Sequence, residues 1–369
     1  MTQEANFIHF VYTVLATIGV IGILIFIHEF GHFIVAKWMG VRVEIFSLGF
    51  GPKIFGIKGG ETEYRLSLVP LGGYVKLYGE NPEEAPNLPD KDRTFYYKKV
   101  WQKALIVLAG PLMNFVFPVL VFWILFSTTG VYVIPPKVGK VLPNTPAQKA
   151  GLKPGDEILA INGKRVHSFE SLVLYLREHT ELKEVTLKIK RDGKIFTVVI
   201  HPAYREGYNI FRKKTKIPYI GITAKPTFIH KKYGVVKAFV LAVKKVWDIT
   251  YLTLVAVVKL VLGELPFSTL GGPITIGKMI GQNVQYGLLP LLSFTAFLSI
   301  NLGIINLLPI PMLDGGHLVI YLVEAIRGRP ISLKTLELIL KIGIVILIAL
   351  MIAVFYNDII KLLSGWKHP

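Results

Sequence analysis

Four long stretches without charge constrain this chain more than any other feature. From Ala5 to His28 there is no Asp, Glu, Lys or Arg, and the apolar character continues through Phe33-Ile34-Val35-Ala36. The runs Ala104 to Pro136, Met279 to Leu313 and Ile342 to Asn357 are likewise uncharged. A helix of about 20 apolar residues crosses a bilayer, because it pairs its own N–H and C=O groups where no water can. The runs therefore predict four transmembrane helices, the last lengthened by its neighbours. Composition agrees, since 52% hydrophobic residues and a mean hydropathy of +0.51 are too apolar for an ordinary soluble enzyme of 369 residues. The first run lacks the basic leader and short apolar core of a cleaved signal, so it reads as a retained helix.

The formal net charge of +18 lies outside these runs. Basic residues in that position are attracted to anionic lipid headgroups. No nucleic-acid reading module accompanies the charge, so membrane lipid, not nucleic acid, is the expected partner. Residues 37–103 carry Lys37, Arg42, Lys53, Lys58, Arg65 and Lys76, then Lys98, Lys99 and Lys103, whereas the N-terminal tail has no Lys or Arg. The positive-inside rule puts this section in the cytoplasm and the N-terminus outside. Within it, Glu63 to Val69 and Gly73 to Tyr78 alternate in part around Pro70-Leu-Gly-Gly73. That pattern predicts a membrane-associated β-hairpin or small sheet turning at Pro70–Gly73. Its edge either serves the fold alone or pairs with an extended substrate.

Residues 137–224 turn soluble in character. The strand Glu157 to Ile161, the Asn162-Gly163 turn, a helix near Phe169 to His179 and strands at Glu184 to Lys190 and Lys194 to Ile200 form a compact α+β module. This stretch resembles a PDZ domain of the bacterial protease type, and the resemblance implies a carboxylate-binding loop at Tyr219, Ile220, Gly221 and Ile222. Such a module captures extended peptide or trimmed chain ends by strand addition, or acts as a size filter over a membrane site. Between Tyr233 and Leu262 lysines are scattered among apolar residues, which suits an amphipathic helix on the membrane surface, with a spanning helix as the rival. The expected domains are residues 1–136, the PDZ-like 137–224, a surface helix and loop at 225–278, and the last two spans at 279–369.

The chemistry is concentrated at Ile27-His28-Glu29-Phe30-Gly31-His32. On a helix, His28 and His32 share one face a turn apart, close enough for both rings to bind one metal ion. His-Glu-x-x-His reads as a zinc site with Glu29 as general base. With no cysteine in the chain, disulfides are excluded and His, Asp and Glu are the remaining protein ligands. Asp314 follows Pro309 and Pro311 at membrane depth, where an acidic residue is a functional candidate, or else caps the next helix. Asn114, in Gly110-Pro-Leu-Met-Asn114, either packs helices together or orients a site. If Asp314 and the two histidines hold one ion, an odd number of crossings must separate their spans. The run from Ala104 to Pro136 supplies one, so residues 233–262 should not cross, and the PDZ-like module and both termini fall outside.

These features together resemble the site-2 protease family of intramembrane zinc metalloproteases. The resemblance covers nearly the whole chain: the His-Glu-x-x-His motif in the first membrane helix, Leu313-Asp314-Gly315 after a later one, and a PDZ-like insertion between them. It implies His28, His32 and Asp314 as zinc ligands and Glu29 as catalytic acid/base. It also implies that Asn301, Asn306, Pro309 and Pro311 seat the substrate, and that Gly72, Gly73 and Tyr74 belong to a strand that clamps it. The implied activity is cleavage of single-span membrane proteins near the cytoplasmic face of the bacterial inner membrane. A non-catalytic adaptor with a structural zinc is the alternative; a transporter would need internal repeats, and none is visible.

Overall fold

In the computed structural model, residues 3–208, 214–225, 227 and 229–363 are described. The chain divides into two compact units, one of residues 1–125, 238–258 and 270–369, the other of residues 126–237 and 259–269.

The first unit opens with α1 (Gln3–Trp38), followed by β1 (Val43–Gly59), β2 (Thr62–Leu77) and α2 (Val100–Thr128). Helix α1 is apolar on all sides, as a membrane span is. Its far end buries Ala36 with Val41, Val43, Leu77, Phe95 and Ile106, which joins α1, the strands and α2 in one core. The hairpin between β1 and β2 turns at Gly60-Glu61, not at the expected Pro70–Gly73, because Gly60 takes the left-handed φ of +63° that the tight turn needs. The stretch around Pro70–Gly73 instead carries β2 across β1, so that Ser47 pairs with Arg65 on one side and Tyr74 on the other. Glu61 at the turn accepts from Lys37 at 2.8 Å and from Arg93, and these two hydrogen bonds hold its carboxyl below the usual range.

The second unit contains β3 (Val131–Val133), β4 (Val138–Val141), α3 (Pro146–Lys149), β5 (Glu157–Ile161), β6 (Lys164–Arg165) and α4 (Phe169–Glu178). It continues with β7 (Val185–Arg191), β8 (Lys194–Ile200), β9 (Ala203–Tyr208), β10 (Lys214–Tyr219), β11 (Ile222–Ala224) and β12 (Ile229–Lys231). Strands in the order β6-β5-β7-β8 form an antiparallel sheet, and β4 pairs with β11, β9 with β10, and β3 with β12. Alternate residues Leu187 and Ile189 bury one face of β7 against Ile158, Ile161 and Leu172. Helix α4 starts on a capping box in which the Ser168 hydroxyl accepts from the Ser171 amide at 3.1 Å.

Asp156, fully buried, accepts from Arg191 through both carboxylate oxygens at 2.7 Å and from the Lys153 amide at 2.8 Å. Burial pushes this carboxyl up, but the Arg191 and Lys153 hydrogen bonds outweigh it and hold it below its ordinary value. A depressed carboxylate stabilises the fold above its unfolded pKa, about 3.9, and loses that contribution as pH falls through the lower folded value. Asp156→Asn should cost about 2 kcal/mol, less than a fully buried broken pair because Arg191 is partly exposed. Hydrogen-exchange protection of the β7 amides at neutral pH measures this; unchanged protection would refute it.

The remaining helices are α5 (Val235–Val261), α6 (Pro273–Gln285), α7 (Leu288–Leu307), α8 (Asp314–Arg327) and α9 (Leu333–Leu363). Helix α5 buries Ala238, Ala242 and Val246 and turns Val236, Val240, Val243, Trp247, Tyr251, Leu254 and Val258 outward. Among the described residues, the helices long and apolar enough to cross a membrane are Phe7–Trp38, Val100–Thr128, Leu288–Leu307 and Leu333–Leu363. Two boundaries differ from expectation. The second run stops at Thr128 and passes through Gly130, at φ +68°, into β3. The third divides at Gly287, at φ +99°, so that α6 is a separate helix. Its start is capped from α9, where the buried Asp358 carboxylate accepts from the amides of Gly272 at 2.9 Å and Ile274 at 2.9 Å.

Candidate metal centre

Helix α1 presents His28 and His32 on one face with their Nε2 atoms 3.2 Å apart. Asp314 reaches them from the first turn of α8, with Oδ2 3.2 Å from His28 Nε2 and Oδ1 3.6 Å from His32 Nε2. The backbone makes that approach through an irregular corner. Pro309 and Pro311 end helical pairing, and Met312 adopts a left-handed φ of +78°. Gly315 and Gly316 then tuck under the corner: a Cβ on Gly315 would lie 2.3 Å from the Leu308 carbonyl oxygen, and one on Gly316 2.3 Å from that of Ile310.

The donor set fits zinc. One ligand atom from each of the three residues lies within 4.8 Å of the others, and the two carboxylate oxygens of Asp314 face the two imidazoles, one each, at 3.2 and 3.6 Å, so the three side chains can close on one ion with small movements. The side chains are 12%, 13% and 17% exposed, so the carboxylate and rings are largely withdrawn from solvent. The ring of His32 is also correctly disposed. Its Nδ1–H donates to the Ile106 carbonyl at 2.9 Å, which can only accept, so the lone pair is left on Nε2.

The two histidines fit between helices because α2 supplies small and polar residues opposite them. Gly110 faces His32, where a Cβ would stand 2.2 Å from Nε2. Asn114, four residues on, lies opposite His28, with its amide nitrogen 3.0 Å from Nδ1. Gly31 gives the same closeness from the α1 side, since its Cβ would meet the Ala109 carbonyl oxygen at 2.3 Å.

A cavity of about 1330 Å³ opens on the centre. Glu29 lines it together with Gly73, Tyr74, Asn306 and Met312. Gly73 lies so close to Glu29 that its Cβ would be 3.1 Å from Cγ of that carboxylate side chain. Farther along the wall, burial raises the Glu80 carboxyl and lowers the His317 imidazole, which favours the neutral form of each.

Of the residues expected from sequence, His28, Glu29, His32, Asp314, Gly73, Tyr74 and Asn306 meet at this cavity. Asn306 stands 3.4 Å from His28 Nδ1, the ring nitrogen that does not face Asp314. Asn301 donates back to the Phe297 carbonyl of its own helix at 2.9 Å. Pro311 packs on α9, where a Cβ on Gly343 would be 2.5 Å from it, and Pro309 is exposed in the corner. Gly72, at φ +137°, lies against the Phe50 ring. In the second unit, Tyr219 to Ile222 links β10 to β11; Ile220 is buried, and its carbonyl accepts from the Ala147 amide at 2.8 Å. Sequence reasoning passed over Gly110, Ser299 and His317. Their spacing was the available signal: Gly110 with Asn114, and Ser299 with Gly303 and Asn306, fall on common helix faces, and His317 sits one turn after Asp314.

Residues 16–350 match the model of a family described as peptidase family M50. The chain is 36% identical to a protein of Rhizobium meliloti provisionally named a zinc metalloprotease, over 94% of this chain and 96% of that one. Similarly named proteins of Campylobacter jejuni and Clostridium acetobutylicum are each 37% identical over 95% of this chain and 94% and 98% of theirs. A PDZ domain of an SdrC-like protein from Listeria monocytogenes aligns with 26% of this chain and 90% of its own at 23% identity, with a TM-score of 0.21, too loose to bear on the fold.

Proposed function

The chain belongs to peptidase family M50, a family that uses zinc, and from that premise we propose that it cuts single-span membrane proteins in or near their transmembrane segment. The observation that carries this reading is the meeting of His28, His32 and Asp314, with one ligand atom each within 4.8 Å of the others, and Glu29 in one cavity, the histidines and Glu29 lying on a helix apolar enough to cross a bilayer. Release of a membrane-tethered regulator such as an anti-sigma factor is the physiological class proposed, in the bacterial inner membrane. The excess of Lys and Arg in residues 37–103 supports a topology with the centre toward the cytoplasm and both termini and residues 137–224 on the outer side.

His28, His32 and Asp314 would hold the ion. Zinc bound there would supply a Lewis acid for activating water and polarising the scissile carbonyl. Glu29 takes the proton of the attacking water and passes it to the leaving amine. A substrate helix must unwind before its carbonyls are free, and pairing with a strand edge replaces the hydrogen bonds lost. The segment Gly73–Leu77 is suited to that role, since it pairs with β1 along one edge while Gly73, Tyr74, Val75 and Leu77 line the cavity. The outward apolar face of α5 is suited to lie along the membrane surface. For the second unit we propose a PDZ-like module over residues 137–224, binding extended chain ends near Tyr219–Ile222 or screening substrates by size.

An adaptor with a structural zinc would need a fourth protein ligand closing the tetrahedron. Among the described residues three converge. The test is zinc content of the protein in liposomes together with cleavage of a model single-span substrate. About one zinc per chain is expected, with cleavage lost on chelation and recovered on zinc addition. Zinc-free protein, or cleavage indifferent to a chelator, would overturn the proposal.

A further inference from the structure

A histidine that ligates through Nε2 must carry its proton on Nδ1, and that proton needs an acceptor when the ring is buried. His32 has the Ile106 carbonyl. Around His28 Nδ1 stand two carboxamides, Asn114 at 3.0 Å and Asn306 at 3.4 Å, each with its amide nitrogen nearest. In that arrangement Nδ1 accepts, the proton sits on Nε2, and Nε2–H faces Asp314 Oδ2 at 3.2 Å. A ring so protonated cannot ligate. The carboxamide of Asn114 can reverse the situation, because turned end for end it fills the same volume and offers oxygen where nitrogen stood.

The surroundings of Asn114 accept that reversal. Asn114 and Ser299 are both fully buried. The Ser299 hydroxyl donates to the Asn114 backbone carbonyl at 2.9 Å, which leaves its lone pairs free to accept, and its Oγ lies 3.4 Å from the side-chain oxygen of Asn114. Once the amide turns, hydrogen bonds run in one direction: His28 Nδ1–H to Asn114 Oδ1, Asn114 Nδ2–H to Ser299 Oγ, and the Ser299 hydroxyl to the Asn114 carbonyl. At each link of that chain a donor then faces an acceptor.

We propose that Asn114, steadied by Ser299, is the positioning residue that sets the tautomer and orientation of His28, its carboxamide oxygen accepting from Nδ1–H when Nε2 binds zinc. This rests on the reading of His28 as a zinc ligand. It makes Asn114 part of the metal machinery, in addition to whatever it contributes to packing α2 against α7.

The deciding measurement is zinc affinity by chelator competition on the full-length protein in detergent, with the absorption spectrum of the cobalt-substituted protein as reporter of ligand geometry. Asn114→Leu, similar in size but without an acceptor, is expected to weaken zinc by about 10- to 100-fold and to alter the cobalt spectrum. Asn114→Asp keeps the acceptor and is expected to hold zinc at least as tightly as the wild type, which a packing role would not produce. A leucine variant with wild-type affinity, or an aspartate variant as weak as leucine, overturns the inference. If leucine fails to fold, the aspartate variant decides alone, and about tenfold weaker binding by it overturns the proposal. Wild-type protein that binds no zinc overturns this inference and the functional reading together; loss of the Asn114 effect alone leaves the protease reading standing.

Discussion

Glu29→Gln protein is expected to keep its zinc while cleavage falls by about 10²- to 10⁴-fold, the contribution of a positioned acid/base. Glutamine matches glutamate in shape, so the cavity wall beside Gly73 is preserved. The three ligand atoms belong to His28, His32 and Asp314 and are untouched. What is lost is the ability to take a proton from water and return it to an amine, since a carboxamide has no basic oxygen at neutral pH. Zinc content and the cleavage rate of a single-span substrate, measured on one preparation, decide the matter. A variant that cleaves within about tenfold of the wild type would remove Glu29 from the chemistry, and one that loses zinc would make its role structural.

Gly110→Ala is expected to abolish zinc binding without unfolding the protein. The added methyl would stand 2.2 Å from His32 Nε2 and 2.4 Å from Cε1, closer than non-bonded atoms approach. The ring cannot simply swing aside, because Nδ1 is held by the Ile106 carbonyl and Nε2 belongs to the ligand set. Nor can α2 retreat cheaply, since Gly31 and Ala109 bring the backbones together one residue away. Either movement displaces a ligand. Alanine is a better helix former than glycine by about 1 kcal/mol, so the loss of metal should come with unimpaired helicity. Full zinc occupancy in this variant, read by metal analysis beside circular dichroism, would contradict the packing described here.

The four spans were legible because each is an uncharged run, and a lipid-facing helix needs little more than that. Their ends were less so. Residues 279–313 read as one span, yet the run contains α6 and α7 joined at Gly287, where a left-handed φ stops one helix without any change in polarity. The small sheet is legible in the sequence, but the Pro-Leu-Gly-Gly signal at residues 70–73 marks a crossing within β2, and the turn itself lies at Gly60-Glu61. A β1 segment that hydrogen-bonds along both edges leaves no mark in local alternation.

At the metal centre the division has a clear physical basis. The pairing of His28 with His32 follows from the 3.6-residue period of a helix, and the condition that Asp314 can join them only across an odd number of intervening crossings follows from a count of spans. Both are counts along one chain, legible in sequence; that Asp314 stands beside the two rings is a fact of the tertiary structure. Which neighbours share the histidines was decided by tertiary structure: Gly110 opposite His32, and Asn114 and Asn306 about His28. Gly110 and Asn114 repeat the four-residue spacing of His28 and His32, but spacing on one helix says nothing of the register at which another packs. That register comes from close contact between backbones, here at Gly31 and Ala109, and it turns a two-histidine motif into a site shaped for one ion.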